Sequence, residues 1–327
     1  MCGALAKFWF NYGHLREARW WTKHALDAND GRFPEASAKA LRTAGFFFGQ
    51  TADTEEDSRL GKEYFEQSLA ISRELGNEDE EAFTLSHYSY LLNRLGLVDE
   101  ARQAADRSLE ICSKAGDHAN IARSMNNIAV NFLDTGRAAE AIPYFESALS
   151  EARIAEDNYL EAVCFHNLGE AAVQMGELER AQGYLGESVE LFKAIGNRPL
   201  FARTLLLQGE IAALKNQNEI AIELSKEALE EFRAIEDSEG IASALEAIAC
   251  GNAQTGGDPS NFLTISAAAA ELRRNIKLRI APARSELLER LAKKAKRSLG
   301  RSTSDSAIAA GKAMQISEAV EMALTEH

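Results

Sequence analysis

The chain has 327 residues, of which 46% are hydrophobic, and it carries a formal net charge of −14. This composition can bury a continuous core, whereas the negative charge argues against general binding of nucleic acid by the body of the protein. No stretch reaches the roughly 18 apolar residues of a membrane span, and the N-terminus lacks the pattern of a signal peptide, so we expect a cytoplasmic protein with no membrane partner.

The first two repeating segments are irregular. Residues 1–27 keep the offsets of the later repeats, for example at Gly13, and the pattern projected backwards places Met1 already inside a helix. We therefore expect further sequence upstream. Residues 35–76 form a second repeat, and its polar, acidic loop from Gln50 to Asp57 is expected to be exposed.

Three consecutive aromatic residues, Phe46-Phe47-Phe48, precede that loop. Their position on a helix predicts that they belong to the core, with one ring exposed. The alternative is that they form part of a docking surface.

From Asp79 to Asp237 the sequence repeats itself every 40 residues. Repetition at such a period is typical of a solenoid, in which each unit buries its apolar face against its neighbours. Apolar residues three or four apart divide each unit into two helices. Glycine or asparagine marks the turn between the helices, because that turn needs a positive φ. The turn column contains Gly96, Gly136, Gly176, Asn216 and Gly256, and the junctions between units are Gly76-Asn77, Gly116-Asp117, Glu156-Asp157, Gly196-Asn197 and Glu236-Asp237.

The spacing within a unit resembles the tetratricopeptide repeat. The fifth unit follows the family's order of large, small and aromatic positions with Phe165, Leu168-Gly169, Ala172, Ala181, Leu185 and Ser188. The unit is longer than that of the family, and the family's closing proline is missing. The resemblance implies an all-α, right-handed solenoid of about seven helix pairs with a helical C-terminal cap.

The repeat pattern fades after Gly256-Gly257, which predicts a repeat domain over 1–257 and a helical capping region over 258–327. We expect four helices in this region. They are predicted from Asp258 to about Leu278, from Pro282 to Leu299, from Ser306 to Met314 after a turn over 300–305, and from Ser317, as N-cap, to Thr325.

The capping region is similar to the C-terminal end of bacterial ATPase-type regulators of the LuxR-like or STAND kind. The residues that carry this similarity are Ala267 to Arg273, Ile280-Ala281-Pro282, Leu299-Gly300, Ala310 to Met314 and Glu318 to Leu324. The resemblance implies the sensor or regulatory arm of a protein of signal transduction or transcription regulation. An ATPase module would then lie upstream or act in trans.

No motif for catalysis is present. The sequence contains no phosphate-binding loop, no dinucleotide fingerprint, no zinc-protease motif and no nucleophile elbow. The four cysteines have no metal-ligand spacing, and small buried thiols are the favoured interpretation. We therefore expect a protein that is not an enzyme and that uses no cofactor and no metal.

In tetratricopeptide proteins the first helix of each pair lines the concave surface, so the resemblance implies that a protein or peptide ligand binds there. Amides can hold a peptide backbone, and arginines can pair with carboxylates. The alternative is an ordinary solvated helix face. The predicted binding residues are Tyr90, Asn93, Arg94, Arg123, Asn126, Asn127, His166, Asn167, Glu170, Gln174, Arg203 and Glu210.

A basic segment near the C-terminus needs a separate interpretation. Residues 271–301 contain eleven Lys or Arg and three Glu, a net charge of +8, whereas the rest of the chain carries −22. No aromatic residue interleaves Lys293, Lys294, Lys296 and Arg297, so stacking on single strands is not expected. We favour a face that is solvated or docks on the acidic repeats; the alternative is a nucleic-acid-associated regulator that acts through this segment.

Overall fold

The computed structural model describes residues 2–12, 14–28, 32–50, 55–276 and 282–325, and every regular element in these ranges is an α-helix. The predicted all-α fold is confirmed. The helices are α1 (Cys2–Asn11), α2 (Leu15–Asp27), α3 (Pro34–Gln50), α4 (Glu55–Glu74), α5 (Glu78–Arg94), α6 (Val98–Ala115), α7 (His118–Asp134), α8 (Ala138–Ile154), α9 (Asn158–Gln174), α10 (Leu178–Ile195), α11 (Arg198–Leu214), α12 (Asn218–Ala234), α13 (Ser238–Thr255), α14 (Pro259–Asn275), α15 (Pro282–Leu299), α16 (Arg301–Ala313) and α17 (Ile316–Thr325).

The chain divides into two compact units, residues 1–197 with α1 to α10 and residues 198–327 with α11 to α17. From α1 to α14, each odd-numbered helix packs against the helix that follows it, which gives the seven predicted pairs in the described part of the chain. We call the odd-numbered member of a pair its first helix and the even-numbered member its second helix. The predicted domain boundary between residues 257 and 258 stays a prediction.

The turns between helices lie where the repeat columns predict them. Gly96, Gly136, Gly176, Asn216 and Gly256 all have positive φ, from 59° to 96°. The first residue of each junction between units, half a period away, also has a positive φ. At two junctions this residue is not glycine: Glu156 (φ 53°) and Glu236 (φ 55°) adopt the left-handed conformation. That conformation crowds the Cβ atom of any residue other than glycine, so these two glutamates are strained.

An N-cap follows each of several junctions. The side chains of Asn77, Asp117 and Asp157 accept a hydrogen bond from the backbone N–H three residues later, at 3.0–3.1 Å. Asp237 does the same in the second unit, at 3.0 Å. An oxygen at this position satisfies an N–H group that has no partner within the helix, which explains why Asn or Asp recurs every 40 residues.

Small residues let the two helices of a pair approach closely. Ala129 and Ala141 are fully buried at the α7–α8 contact. Gly169 in α9 is closer still, since a Cβ atom built there would lie 2.5 Å from Cδ2 of Leu185 in α10. A methyl group at this position would displace Leu185, so the glycine is required by packing rather than by backbone conformation.

The first helices of the first unit lie side by side. Helices α3, α5, α7 and α9 contact one another in sequence, whereas the second helices contact chiefly the first helices on either side. This places the first helices on the inner side of the stack. We call their solvent-facing surface the inner face.

The second unit ends in three helices that cover its last pair. Helix α16 packs against α14, and α17 contacts both α13 and α14. Gly311 allows the first of these contacts, because a Cβ atom there would lie 2.1 Å from the carbonyl oxygen of Thr264. No helix in the described part of the chain is long and apolar enough to cross a membrane.

Three predicted details of this region differ from the structure or fall outside it. The predicted turn over 300–305 is confined to Gly300, whose φ of 75° lets α16 begin at once. Ser317 is not the N-cap of α17, because the helix already begins at Ile316. The Glu318 carboxylate accepts a hydrogen bond from the backbone N–H of Gln315, the residue before the helix, at 3.1 Å. Helix α14 ends at Asn275, and the predicted end near Leu278 lies outside the described residues. In the first unit, the predicted loop over 50–57 is wrong at both ends, because α3 includes Gln50 and α4 already begins at Glu55; residues 51–54 lie outside the described residues.

Candidate functional site

The inner face of the first unit carries a stripe of side chains at four positions of each of the helices α5, α7 and α9, spaced i, i+4, i+7 and i+11. This spacing keeps all four on one side of a helix. Seven of the twelve predicted binding residues occupy this stripe, and Arg203 and Glu210 hold the corresponding positions of α11 in the second unit. The stripe consists of Phe83, His87, Tyr90 and Arg94 in α5, Arg123, Asn127, Val130 and Asp134 in α7, and Val163, Asn167, Glu170 and Gln174 in α9.

Asn127 is buried and joins α7 to α5. Its Nδ2 group donates to the carbonyl oxygen of Ser86 at 2.6 Å and to Oγ of Ser89 at 2.9 Å. Both hydrogens of the amide are therefore used within the stack. The predicted role of Asn127 in holding a peptide backbone stays a prediction, and its observed contacts fix the register of the two helices.

Further amides continue this network between neighbouring first helices. Asn167 donates to Oδ1 of Asn126 at 2.8 Å, which links α9 to α7. Asn131 donates to Oδ1 of the buried Asn93 at 3.0 Å and to the carbonyl oxygen of Val98 at 2.9 Å. Sequence reasoning did not identify Asn131, although it lies four residues after Asn127 and so on the same side of α7.

Arg123 has an unusual environment. Its guanidinium lies 5.1 Å from the centre of the Phe83 ring, and its Nη1 atom is buried without a hydrogen-bond partner. Burial lowers the pKa of Arg123, an effect that the neighbouring hydroxyl of Tyr159 and carboxylate of Asp157 partly oppose. No ion pair to Arg123 is formed by the described residues.

Aromatic side chains surround this arginine. Phe10 of α1 lies across the inner face, with its ring centre 5.3 Å from that of Phe46 in α3 and 5.9 Å from that of Tyr159 in α9. The next residue, Asn11, accepts a hydrogen bond from Nδ2 of Asn197 at 3.0 Å. The first helix of the chain therefore contributes a wall to the inner face that nothing in the repeat pattern predicts.

Phe46 and His87 complete the aromatic group. The His87 ring is 5.3 Å from Phe46 and 4.7 Å from Phe83. Burial, with the nearby charges of Arg123 and Arg42, holds the pKa of His87 well below its usual value. Of the three consecutive phenylalanines, Phe47 and Phe48 are buried in the core and Phe46 is the ring on the inner face.

The remaining predicted residues of the first unit differ in exposure. Gln174 is exposed, and Tyr90 is half-buried. Arg94 is exposed and donates to the carbonyl oxygen of Gly49 at 2.8 Å. His166 and Glu170 are half-buried, and each makes polar or electrostatic contacts of its own.

The two predicted residues of the second unit take part in ion pairs. Arg203 lies 3.5 Å from Oδ2 of Asp237 and 3.8 Å from Oε2 of Glu239. Glu210 accepts a charge-assisted hydrogen bond from Arg284. Their predicted role in ligand binding stays a prediction.

The basic segment is partly used within the second unit. Arg273 forms a bidentate pair with the buried Glu246, at 2.6 and 3.0 Å. Arg284 pairs with Glu210. Two cations of the basic segment therefore dock on acidic residues of α11 and α13. Five further cations of the segment form an exposed basic row on α15, consisting of Arg290, Lys293, Lys294, Lys296 and Arg297.

Other features of the described residues offer no alternative site. No group of three His, Cys, Asp or Glu side chains in the described ranges is arranged to hold a metal ion. Cys112, Cys164 and Cys250 are free and buried, and burial raises the pKa of Cys164 to about 12, which suppresses its thiolate. Two shallow clefts of about 540 and 550 Å³ lie outside the inner face, one beside Asn77 and one beside Tyr184.

Comparisons with known proteins address the repeats. A family model for the tetratricopeptide repeat matches residues 80–153 and 132–194. Comparison with curated protein sequences gave no match.

Many solved structures share the fold at low sequence identity. A Rap protein complexed with competence and sporulation factor is 14% identical, with a TM-score of 0.59, over 86% of this chain and 80% of that one. The Rap conjugation gene regulator of plasmid pLS20, in complex with a peptide, is 17% identical with a TM-score of 0.56, over 92% and 98%.

A third similar structure is a STAND protein with a tetratricopeptide repeat sensor from Pyrococcus horikoshii. It is 15% identical, with a TM-score of 0.54, over 86% of this chain, and the match covers 42% of that longer protein. These likenesses concern the fold. Residues 80–194 therefore carry tetratricopeptide repeats, and the chain has the α-solenoid fold of that repeat family.

Proposed function

We propose that the inner face of the first unit binds an extended peptide or a peptide segment of a partner protein, and that the chain is a non-enzymatic regulatory arm. The observation that carries this proposal is the stripe itself. Its side chains are at fixed repeat positions on three adjacent first helices, and several of them, such as Tyr90 and Gln174, are not needed to pack one helix on another. Regular helices present such groups at a spacing that an extended chain can follow.

The similar structures support this proposal by analogy. Two of them contain Rap proteins with a bound factor or peptide, and the third contains a STAND protein whose repeats are described as a sensor. By that analogy the chain would serve signal transduction or transcription regulation in the cytoplasm. An ATPase module, upstream or in trans, would be the output that the arm controls, and the arm itself would need no cofactor.

The predicted division into repeats (1–257) and a helical cap (258–327) belongs to the same proposal. The repeats would supply the ligand face. The cap would close the last apolar surface of the second unit, as terminal elements of repeat proteins do.

Peptide selection tests the proposed function. Peptides enriched from a random library on the full chain should bind the wild type in calorimetry. They should bind roughly tenfold or more weakly to a variant with Tyr90→Ala and Gln174→Ala, because both changes remove contacts on the inner face. The matched control is Glu146→Ala, which is exposed on the second helix α8. Failure to enrich any peptide, or equal binding to the inner-face variant, would overturn the proposal.

A further inference from the structure

Arg123 is the starting point, because a buried cation without a partner is costly to a fold. Its Nη1 atom has neither solvent nor a hydrogen-bond acceptor. Most buried arginines in proteins are paired, since removing the partner of a buried charge is strongly destabilising. A buried arginine without a partner therefore indicates a role other than stabilising the unliganded chain.

The charges around Arg123 do not compensate it. The carboxylates that act on Arg123 are those of Asp117, the N-cap of its own helix α7, and Asp157, the N-cap of α9. Arg42 adds a second positive charge on the same side, although it is paired with Glu80 at 2.6 Å. His87 is neutral at pH 7, because burial holds its pKa well below the usual value. Among the described residues, no carboxylate is therefore left to form an ion pair with the guanidinium of Arg123.

The surroundings also indicate what kind of anion fits. Phe83 lies against the guanidinium, and Phe10 and Phe46 lie in contact with the rings next to it. Tyr159 supplies a hydroxyl group nearby. Arg123 as a whole is half-buried, and its guanidinium lies among these rings. An anion attached to an apolar or aromatic group matches this mixture of one cation and several rings.

We propose that Arg123 is the recognition residue for a carboxylate of the ligand, and that Phe10, Phe46 and Phe83 receive the apolar group beside that carboxylate. This inference rests on the proposed function of the inner face and specifies its ligand as an acidic peptide with an adjoining apolar side chain. Arg203, the other arginine in the same repeat position, is paired with Asp237 and lies in the second unit, so it does not share this role.

The test measures the binding of three probes to the full chain by ligand-detected NMR titration. N-acetyl-phenylalanine carries a terminal carboxylate, N-acetyl-aspartyl-phenylalaninamide carries a side-chain carboxylate, and N-acetyl-phenylalaninamide carries none. We expect one or both acidic probes to bind roughly tenfold or more tightly than the neutral one, and the better acidic probe identifies the source of the carboxylate. Arg123→Met should abolish this difference. The control Arg107→Met, on the exposed side of α6, should retain it.

A stability measurement separates ligand recognition from a structural role. If Arg123 serves only to pack on Phe83, Arg123→Met lowers the melting temperature. If the cation is kept for a ligand, the same change raises the melting temperature, because an uncompensated buried charge is replaced by an apolar side chain of similar length. Equal binding of all three probes, or a lower melting temperature for Arg123→Met, would overturn the inference.

The outcomes distinguish this inference from the proposed function. Library peptides that bind the inner face but are indifferent to Arg123→Met would refute the carboxylate site and leave peptide binding intact. Acidic probes that bind through Arg123 when no library peptide does would support the site and refute peptide binding.

Discussion

At the scale of single residues, burial decides the chemistry of the inner face more than residue type does. Asn127 and Gln174 both carry amides in the stripe. The amide hydrogens of Asn127 are donated to α5, whereas Gln174 is exposed. His87 is the residue in which burial has a consequence that can be measured. Its ring lies among Phe46, Phe83 and two arginines.

We predict that His87 makes stability depend on pH below about 7.5, where the imidazole of the unfolded chain begins to bind a proton. The pKa of His87 is depressed in the folded chain, whereas an unfolded histidine titrates near about 6.5. Below that pH, this histidine binds a proton in the unfolded chain but not in the folded chain. The free energy of unfolding therefore falls as the pH falls, and this group contributes up to about 1.4 kcal/mol per pH unit. Urea denaturation at several pH values measures it.

The matched variants for this prediction are His87→Gln and His24→Gln. The first should flatten the dependence of stability on pH, because it removes the group. The second changes an exposed histidine of α2 and should leave the wild-type slope unchanged. A His87→Gln variant with the wild-type slope would show that another group is responsible.

At the scale of elements, the period of 40 residues is enforced by the backbone at the helix ends. Left-handed residues recur at the turns and at the junctions, followed by an N-cap at several junctions. Glycine can take the left-handed conformation without strain, which makes the two glutamates of the junction column the weak points of this scheme.

We predict that Glu156→Gly stabilises the chain by about 0.5–1 kcal/mol. The left-handed conformation costs a residue with a Cβ atom about 1–2 kcal/mol, and the greater freedom of glycine in the unfolded chain offsets part of that gain. The side chain of Glu156 is exposed, so little packing is lost. Denaturant unfolding of Glu156→Gly measures the effect. Gly116→Glu, the reverse change one repeat earlier, should destabilise; a loss of stability in both variants would contradict the argument.

At the scale of the whole molecule, charge is divided unevenly along the sequence. The basic segment over 271–301 carries +8 in a chain of net charge −14. Part of this positive charge is neutralised by ion pairs of Arg273 and Arg284 within the second unit, and an exposed basic row remains on α15. A row of five cations in a chain of strongly negative net charge favours weak and salt-sensitive contact with polyanions at most.

We predict that the full chain does not shift duplex or single-stranded DNA in a gel at about 150 mM salt. Screening at this ionic strength weakens contacts between exposed cations and phosphates, and the acidic remainder of the chain repels the polymer. A shift that persists at this salt and disappears when Lys293, Lys294 and Arg297 are replaced by alanine would instead favour the nucleic-acid-associated function.

The sequence by itself determined the repeat architecture, because its causes are local. A helix needs apolar residues on one side, a tight turn needs a left-handed residue, and a helix start needs a cap. Each of these requirements selects a residue type at a fixed position of the repeat. Gly96, Asp117 and Gly169 illustrate the turn, the cap and the close helix contact. The C-terminal capping region repeats nothing, so its details, such as the start of α16 at Arg301, were predicted less well.

Only the tertiary structure decided which residues of the inner face remain for a ligand. Spacing along one helix shows which side a residue faces, but it does not show what the next helix places opposite that residue. Asn127 meets Ser86 and Ser89, Arg203 meets Asp237, and Arg123 meets Phe83 without an acceptor, although all three were equivalent predictions from the repeat pattern. Partners that lie a helix or more apart in sequence are chosen by the distances between packed helices, and those distances exist only in the folded chain.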